Sequence, residues 1–192
     1  MLLSFSASDT TLTKEEKEYA AKFLNETEQA VFDAVKGLSE AQLKFKAAPD
    51  KWSVEDCVKH IAISEQNLWG IVSELLKKPA TPEKRSDIKV TDEQLVKMVA
   101  DRSQKNQAPE PFKPQNTPYK TTEEALASFR QNRDKLVSYM KETNEDFRNH
   151  VSPFGNGSTF DAYQIVLLIS AHSNRHTLQI LEVKADPGFP KS

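Results

Sequence analysis

The stretch that decides the fold is STFDAYQIVLLISAHSNRHTLQILEVK, from Ser158 to Lys184. Its apolar residues recur at intervals of three and four, which is the period of an amphipathic α-helix. The following ADPGFP supplies the proline and glycine that are typical after a helix end. Its predicted inward stripe contains Ile165, Leu168, His172, His176, Gln179 and Val183. Four residues make just over one helical turn, so the two imidazoles share an apolar face.

Three segments further upstream have the same helical period. The first runs from Thr13 to Leu38, and Glu16 completes a capping box with Thr13. The second follows an N-cap at Ser53 and ends near Lys77, and the third runs from Thr121 to about Phe147. The HVSPFGNGS stretch before the fourth helix is interpreted as a turn. The sequence therefore predicts an all-α protein built as a four-helix bundle.

The connection between the second and third helices, residues 78–120, is unusually long. TDEQLVKMVADRS within it predicts a short extra helix capped by Thr91. The NQAPEPFKPQNTP stretch that follows has four prolines and is predicted to lack regular structure. We interpret residues 78–120 as a crossover insertion within a single domain of residues 1–192, with a flexible N-terminus at residues 1–12.

The composition excludes several classes of protein. A net charge of -2, a pI near 6.1 and the absence of a basic stripe argue against a nucleic-acid binder. The single cysteine excludes an intramolecular disulfide framework, and no apolar run is long enough to span a membrane. The apolar start MLLSFSASD leaves two interpretations: a cytoplasmic protein, or an exported one whose signal peptide is truncated.

Three histidines on inward faces predict a metal site. His60 lies on the inward face of the second helix, as His172 and His176 do on the fourth. Buried imidazoles need polar partners, and one divalent ion would satisfy all three while leaving a position for water or substrate. Zinc, nickel, iron, manganese and cobalt all suit imidazole ligands. From the spacing alone, a core in which the three histidines only form hydrogen bonds is as good an interpretation as a metal site.

Further polar residues could serve this site. Asp56, one turn before His60, is a candidate catalytic base or fourth ligand, and its alternative role is to cap the helix. Candidates for supporting the ligands or contacting a substrate are Gln179, Ser64, Asn67 and Arg175. Structural roles are predicted for Cys57 as an inert buried thiol, for His150, and for Trp52 and Trp69 as packing residues. Glu65 is predicted to pair with a lysine or a loop.

Three segments together resemble the DinB-like superfamily: KWSVEDCVKHIAISEQNLW at 51–69, SPFGNGSTFDAYQIVLLISAHSNRHTLQILEV at 152–183, and ADPGFP at 185–190. The resemblance implies a bundle with up-down-down-up topology and a divalent metal ion held by His60, His172 and His176. It implies a metal-dependent hydrolase acting on a small molecule. The alternatives are a transferase that uses a low-molecular-weight thiol, such as bacillithiol or mycothiol, and a non-catalytic metal- or ligand-binding module. A homodimer is also in keeping with the family.

Overall fold

The computed structural model describes residues 11–103, 107–154 and 157–191. Its helices are α1 (Lys14–Val35), α2 (Glu40–Lys44), α3 (Val54–Leu76), α4 (Asp92–Ala100), α5 (Thr122–Glu142) and α6 (Ala162–Lys184). A hairpin of β1 (Val151–Phe154) and β2 (Ser158–Asp161) precedes α6, and short 3-10 helices lie at Pro82–Asp87, Glu110–Phe112 and Pro114–Asn116. The predicted flexible N-terminus lies mostly outside the described residues.

Side-chain caps fix where the helices begin. The capping box predicted at Thr13 and the cap predicted at Thr91 are confirmed, and Ser39 and Ser53 each form a further capping box. Such a cap satisfies backbone N–H groups that have no partner within the first turn. Thr121 and Glu124 have the spacing of a capping box, but only half of it forms, because the Glu124 carboxylate accepts the N–H of Lys120 instead of that of Thr121, at 2.7 Å.

The first and last long helices run parallel. Near their N-termini, the hydroxyl of Tyr163 donates to the carbonyl of Glu16 at 2.9 Å. Near their C-termini, Lys184 Nζ donates to the carbonyl of Ala34 at 2.7 Å. Helices α1 and α6 therefore point in the same direction along their whole length.

The two middle long helices run parallel to each other and antiparallel to α1. At the N-terminal ends of α3 and α5, Thr122 Oγ1 donates to the Glu55 carboxylate at 3.1 Å. The start of α1 meets the end of α5, where Lys17 Nζ donates to Asn144 Oδ1 at 3.3 Å. These directions give the up-down-down-up order that was predicted. No helix in the described ranges is both long and apolar enough to cross a membrane.

The helical spacing of α3 predicts Ile71 and Asn67 on its inward face, but the structure exposes both. Ile71 is 40% exposed, whereas its neighbour Val72 is fully buried. Successive residues of a helix are about 100° apart around its axis. On this spacing, the buried residues of α3 centre near Ile61 and Leu68. Ile71 lies well to one side of that centre, and His60 lies close to the same edge. The candidate ligand thus projects from the border of the core.

The turn predicted before the fourth helix is in fact the β1–β2 hairpin. Val151 pairs with Asp161 in an antiparallel register, and both Val151 and Phe160 are buried. Asp161 then caps α6 by accepting the N–H of Gln164 at 2.7 Å. The helix therefore begins at Ala162 rather than at Ser158.

Two other predictions were wrong: the end of the first helix at Leu38, and the lack of regular structure in the proline-rich stretch. α1 ends at Val35, because Gly37 has a φ of 73° and turns the chain away from the helix. Ser39 then starts the five-residue helix α2. The proline-rich part of the crossover forms 3-10 turns at Glu110–Phe112 and Pro114–Asn116, which tolerate proline in their first two positions.

Candidate metal centre

The structure brings the three inward histidines together. His60 of α3 places its Nε2 atom 3.1 Å from Nε2 of His172 on α6, and Nε2 of His176 lies 3.2 Å from the same atom. One potential ligand atom from each residue lies within 4.8 Å of the others. His60 and His176 are buried, and His172 is partly exposed. This arrangement could hold a metal ion.

The tautomer of His60 follows from its hydrogen bond to the crossover. Its Nδ1 atom lies 2.6 Å from the backbone carbonyl oxygen of Phe112. A carbonyl oxygen can only accept a hydrogen bond, so Nδ1 must carry the proton. In the neutral ring Nε2 then keeps its lone pair, and this lone pair faces the other two histidines.

His176 has the same tautomer for a similar reason. Its Nδ1 atom lies 2.9 Å from Oε1 of Gln179, and Arg102 Nη1 donates to that oxygen at 3.2 Å. Because arginine has only donors, its contact supports the placement of the amide oxygen at this point. The Nδ1–H of His176 therefore donates, and its Nε2 lone pair points into the cluster.

The donor set fits a divalent metal ion. Two lone pairs, on His60 and His176, point towards the Nε2 atom of His172. A proton on that atom could satisfy only one of them. Buried acceptors without a donor cost free energy, whereas a cation accepts all three lone pairs at once. The contacts of the outer nitrogens are those that usually orient histidine ligands.

Electrostatics keep the three rings neutral. Burial lowers the pKa of His60 below its usual value. Burial lowers the pKa of His172 to about 3, with further lowering from His60 and Arg175. Burial and the two neighbouring histidines hold the pKa of His176 well below its usual range. Neutral imidazole is the form that binds metal ions, so the site is ready to bind at neutral pH.

A tryptophan forms one wall of the cluster. The Trp52 ring stacks on His176, with ring centroids 5.7 Å apart and an interplanar angle of 24°. Its centroid also lies 4.8 Å from that of His60. The packing role predicted for Trp52 therefore includes packing against two candidate ligands. Trp69 packs instead on Tyr139, at a centroid distance of 5.0 Å.

Two of the polar residues predicted on the inward face of α3 differ in their contacts. Ser64 Oγ lies 3.5 Å from both ring nitrogens of His60, at the limit of a hydrogen bond. Asn67 is exposed, and its amide donates to the carbonyl of Ile63 at 2.8 Å. Ser64 therefore borders the candidate site, whereas Asn67 bonds its own helix.

Asp56 occupies a helix-capping position. Its carboxylate accepts the backbone N–H of Ser53 at 3.0 Å and pairs with Lys46 Nζ at 2.7 Å. These contacts match the capping role that was weighed against a catalytic one. Both contacts point away from a catalytic role, because they engage the carboxylate with the helix start and with a lysine.

The crossover reaches the site through residues that sequence reasoning missed. Arg102 contacts Gln179, and the Phe112 carbonyl contacts His60. Arg175 was predicted to point towards a neighbouring helix or the pocket rim, where it could bind a carboxylate. Its guanidinium instead donates to the backbone carbonyl of Asp101 in the crossover.

A buried ion pair joins α5 to α3. Arg133 of α5 donates to the Glu65 carboxylate at 2.5 to 3.0 Å, which corrects the lysine or loop partner predicted for Glu65. It also donates to the Leu24 carbonyl, to Thr27 Oγ1 and to Ser173 Oγ. One guanidinium thus joins all four long helices. Its contact on α6, Ser173, is next in sequence to the candidate ligand His172.

His150 and Cys57 have structural surroundings. The two ring nitrogens of His150 lie 2.6 Å from the Asp146 carbonyl and 2.9 Å from the Lys78 carbonyl. This ring joins the start of the crossover to the segment before β1. Cys57 is fully buried, and burial raises the pKa of its thiol, which disfavours the reactive thiolate.

The fold and the histidine cluster define a helical bundle with a candidate metal site between α3 and α6. A family model described as the DinB superfamily matches residues 24–180, which is most of the chain. The chain belongs to the DinB superfamily.

Two proteins of Bacillus subtilis are similar to it. The uncharacterized protein YuaE of strain 168 is 24% identical over 162 residues, covering 83% of this chain and 94% of YuaE. The solved structure of YfiT superposes with a TM-score of 0.63 at 18% identity, covering 97% of this chain and 95% of YfiT. YfiT is described as a probable metal-dependent hydrolase with an unusual four-helix bundle topology.

Proposed function

We propose that the protein is a metal-dependent hydrolase whose divalent ion is held by His60, His172 and His176. The observation that carries this proposal is the convergence of the three Nε2 atoms, with protons held on the outer nitrogens of His60 and His176. The description of YfiT as a probable metal-dependent hydrolase supports the reaction class.

Three protein ligands suit catalysis better than a closed structural site, because they leave a coordination position for water or substrate. When bound, a divalent ion supplies Lewis acidity and lowers the pKa of its water to about 7. The chain's own residues keep the ligands neutral and oriented. Trp52 covers the rings of His60 and His176 and limits water on that side.

The substrate is proposed to be a small molecule, and the metal remains one of zinc, nickel, iron, manganese and cobalt. Three imidazoles do not choose sharply among these ions. A transferase would use the same site to bind a low-molecular-weight thiol, and a binding module would hold the ion without turnover. Both alternatives can be separated from hydrolysis by assay.

We expect metal-dependent hydrolysis from the reconstituted protein. Metal-free protein is loaded separately with each of the five ions and assayed on ester and amide substrates, with and without added low-molecular-weight thiols. Turnover should require metal, proceed without thiol and fall to background in His60→Ala. Gln66→Ala, an exposed position on the same helix, is the matched control and should keep the wild-type rate.

Two results would contradict the hydrolase proposal. Turnover that needs a thiol would favour the transferase. A fully loaded protein that turns over no substrate of either kind would favour a binding module.

A further inference from the structure

Arg102, two residues after the end of α4, contacts the last turns of α6. The Nε and Nη2 atoms of Arg102 donate to the two carboxylate oxygens of Glu182 at 2.8 and 2.6 Å. Its Nη1 atom donates to Oε1 of Gln179 at 3.2 Å. The same oxygen accepts from Nδ1 of His176 at 2.9 Å. One planar guanidinium therefore links two residues of α6 to the crossover.

We propose that Arg102 is a positioning residue that sets the tautomer of His176 by fixing the orientation of the Gln179 amide. The metal-affinity part of this inference rests on the metal centre proposed above. The tautomer part concerns the metal-free protein and stands on its own.

The two ends of the glutamine amide form opposite kinds of hydrogen bond. The oxygen accepts a hydrogen bond, whereas the NH₂ group donates one. With the oxygen towards His176, Nδ1 holds the proton and Nε2 has a lone pair for a metal ion. With the amide rotated, the NH₂ group would donate to Nδ1 and leave the proton on Nε2, where it blocks coordination.

Arg102 selects the first orientation. Its guanidinium carries only donors, so it can bond the amide oxygen and would repel the NH₂ group. The bidentate pair with Glu182 holds the guanidinium in the required plane. Glu182 has a side chain that is 57% exposed, so this ion pair adds little to folding stability. Its contribution is to orient the amide.

The crossover thereby orients two of the three histidines. Arg102 acts on His176 through Gln179, and the Phe112 carbonyl acts directly on His60. Residues 78–120 connect α3 to α5. In this protein they supply contacts that support the ligands.

The tautomer is measured first, in metal-free protein at neutral pH. Long-range ¹H–¹⁵N NMR distinguishes a protonated Nδ1 from a protonated Nε2. Wild-type His176 should carry its proton on Nδ1, and Arg102→Met should move a substantial fraction to Nε2. The exposed Arg130→Met is the control and should match the wild type. An unchanged tautomer in Arg102→Met would overturn the proposal.

Metal affinity is measured next, by zinc titration against a competing chelator. Arg102→Met should weaken zinc binding roughly 10- to 100-fold, the usual loss when a partner of a ligand is removed. The same substitution in a Gln179→Glu background should have little effect, because a carboxylate has no donor end to present to His176. An equal loss in both backgrounds would contradict the proposal and indicate a general structural role for Arg102.

The two measurements separate the two proposals. If wild-type protein binds none of the five ions, the metal centre is refuted, and the NMR spectrum still decides what Arg102 does. If zinc binds normally but the tautomer is insensitive to Arg102, only the positioning role is lost.

Discussion

Replacing Arg133 with methionine is expected to lower the free energy of unfolding by about 3–5 kcal/mol. The Arg133 side chain is fully buried and pairs with the buried Glu65 carboxylate. Removing the guanidinium leaves that carboxylate without its counter-charge in the core, where desolvation is costly. Urea denaturation of metal-free wild type and variant at neutral pH measures the difference.

A double variant shows whether the loss comes from the unpaired charge. Arg133→Met with Glu65→Leu should recover most of the lost stability, because apolar residues often replace a buried pair without loss. The hydroxyls of Thr27 and Ser173 stay satisfied, since each also donates to a carbonyl of its own helix. A single-variant loss below about 1 kcal/mol, or a double variant less stable than the single, would contradict this account.

Acidification should destabilise the metal-free protein through the same histidines that would hold the ion. The pKa of His172 is lowered to about 3 in the folded state, against about 6.5 in an unfolded chain. Between these values the unfolded chain binds more protons than the folded one. Stability therefore falls as the pH drops below about 6.5.

A comparison with His172→Gln isolates this contribution. Between pH 7 and pH 5, wild type should lose about 1–2 kcal/mol more than the variant, a range that allows for the partial exposure of the ring. Denaturation curves at a series of pH values, with chelator present, measure the difference. Parallel stability profiles for the two proteins would show that His172 is not held neutral by the fold.

Local signals in the sequence predict the helices and the histidine pair. The cap at Thr13 and the inward position of His176 depend on residues within one or two turns, so they can be found without knowing the packing. His60, on the inward face of α3, joins this histidine pair once α3 and α6 pack antiparallel. The crossover helix capped by Thr91 was found by the same local pattern.

The contacts that support the site could not be predicted in the same way. Arg133 meets Glu65 across 68 residues, and Arg102 meets Gln179 across 77. Such pairs depend on how whole helices pack, and residues that are close in sequence carry no information about that packing. One signal was available: Arg133 lies four residues after Phe129 on the apolar stripe of α5, and a charge there needs a buried partner.

The central claim is that three histidines bind one metal ion, and metal content tests it most directly. Untagged wild type and His172→Ala are purified without chelator, and bound metals are quantified by mass spectrometry relative to protein. We expect an equimolar divalent ion in wild type and its loss in the variant. Well-folded wild type that holds no metal, even after incubation with zinc or nickel, would contradict it.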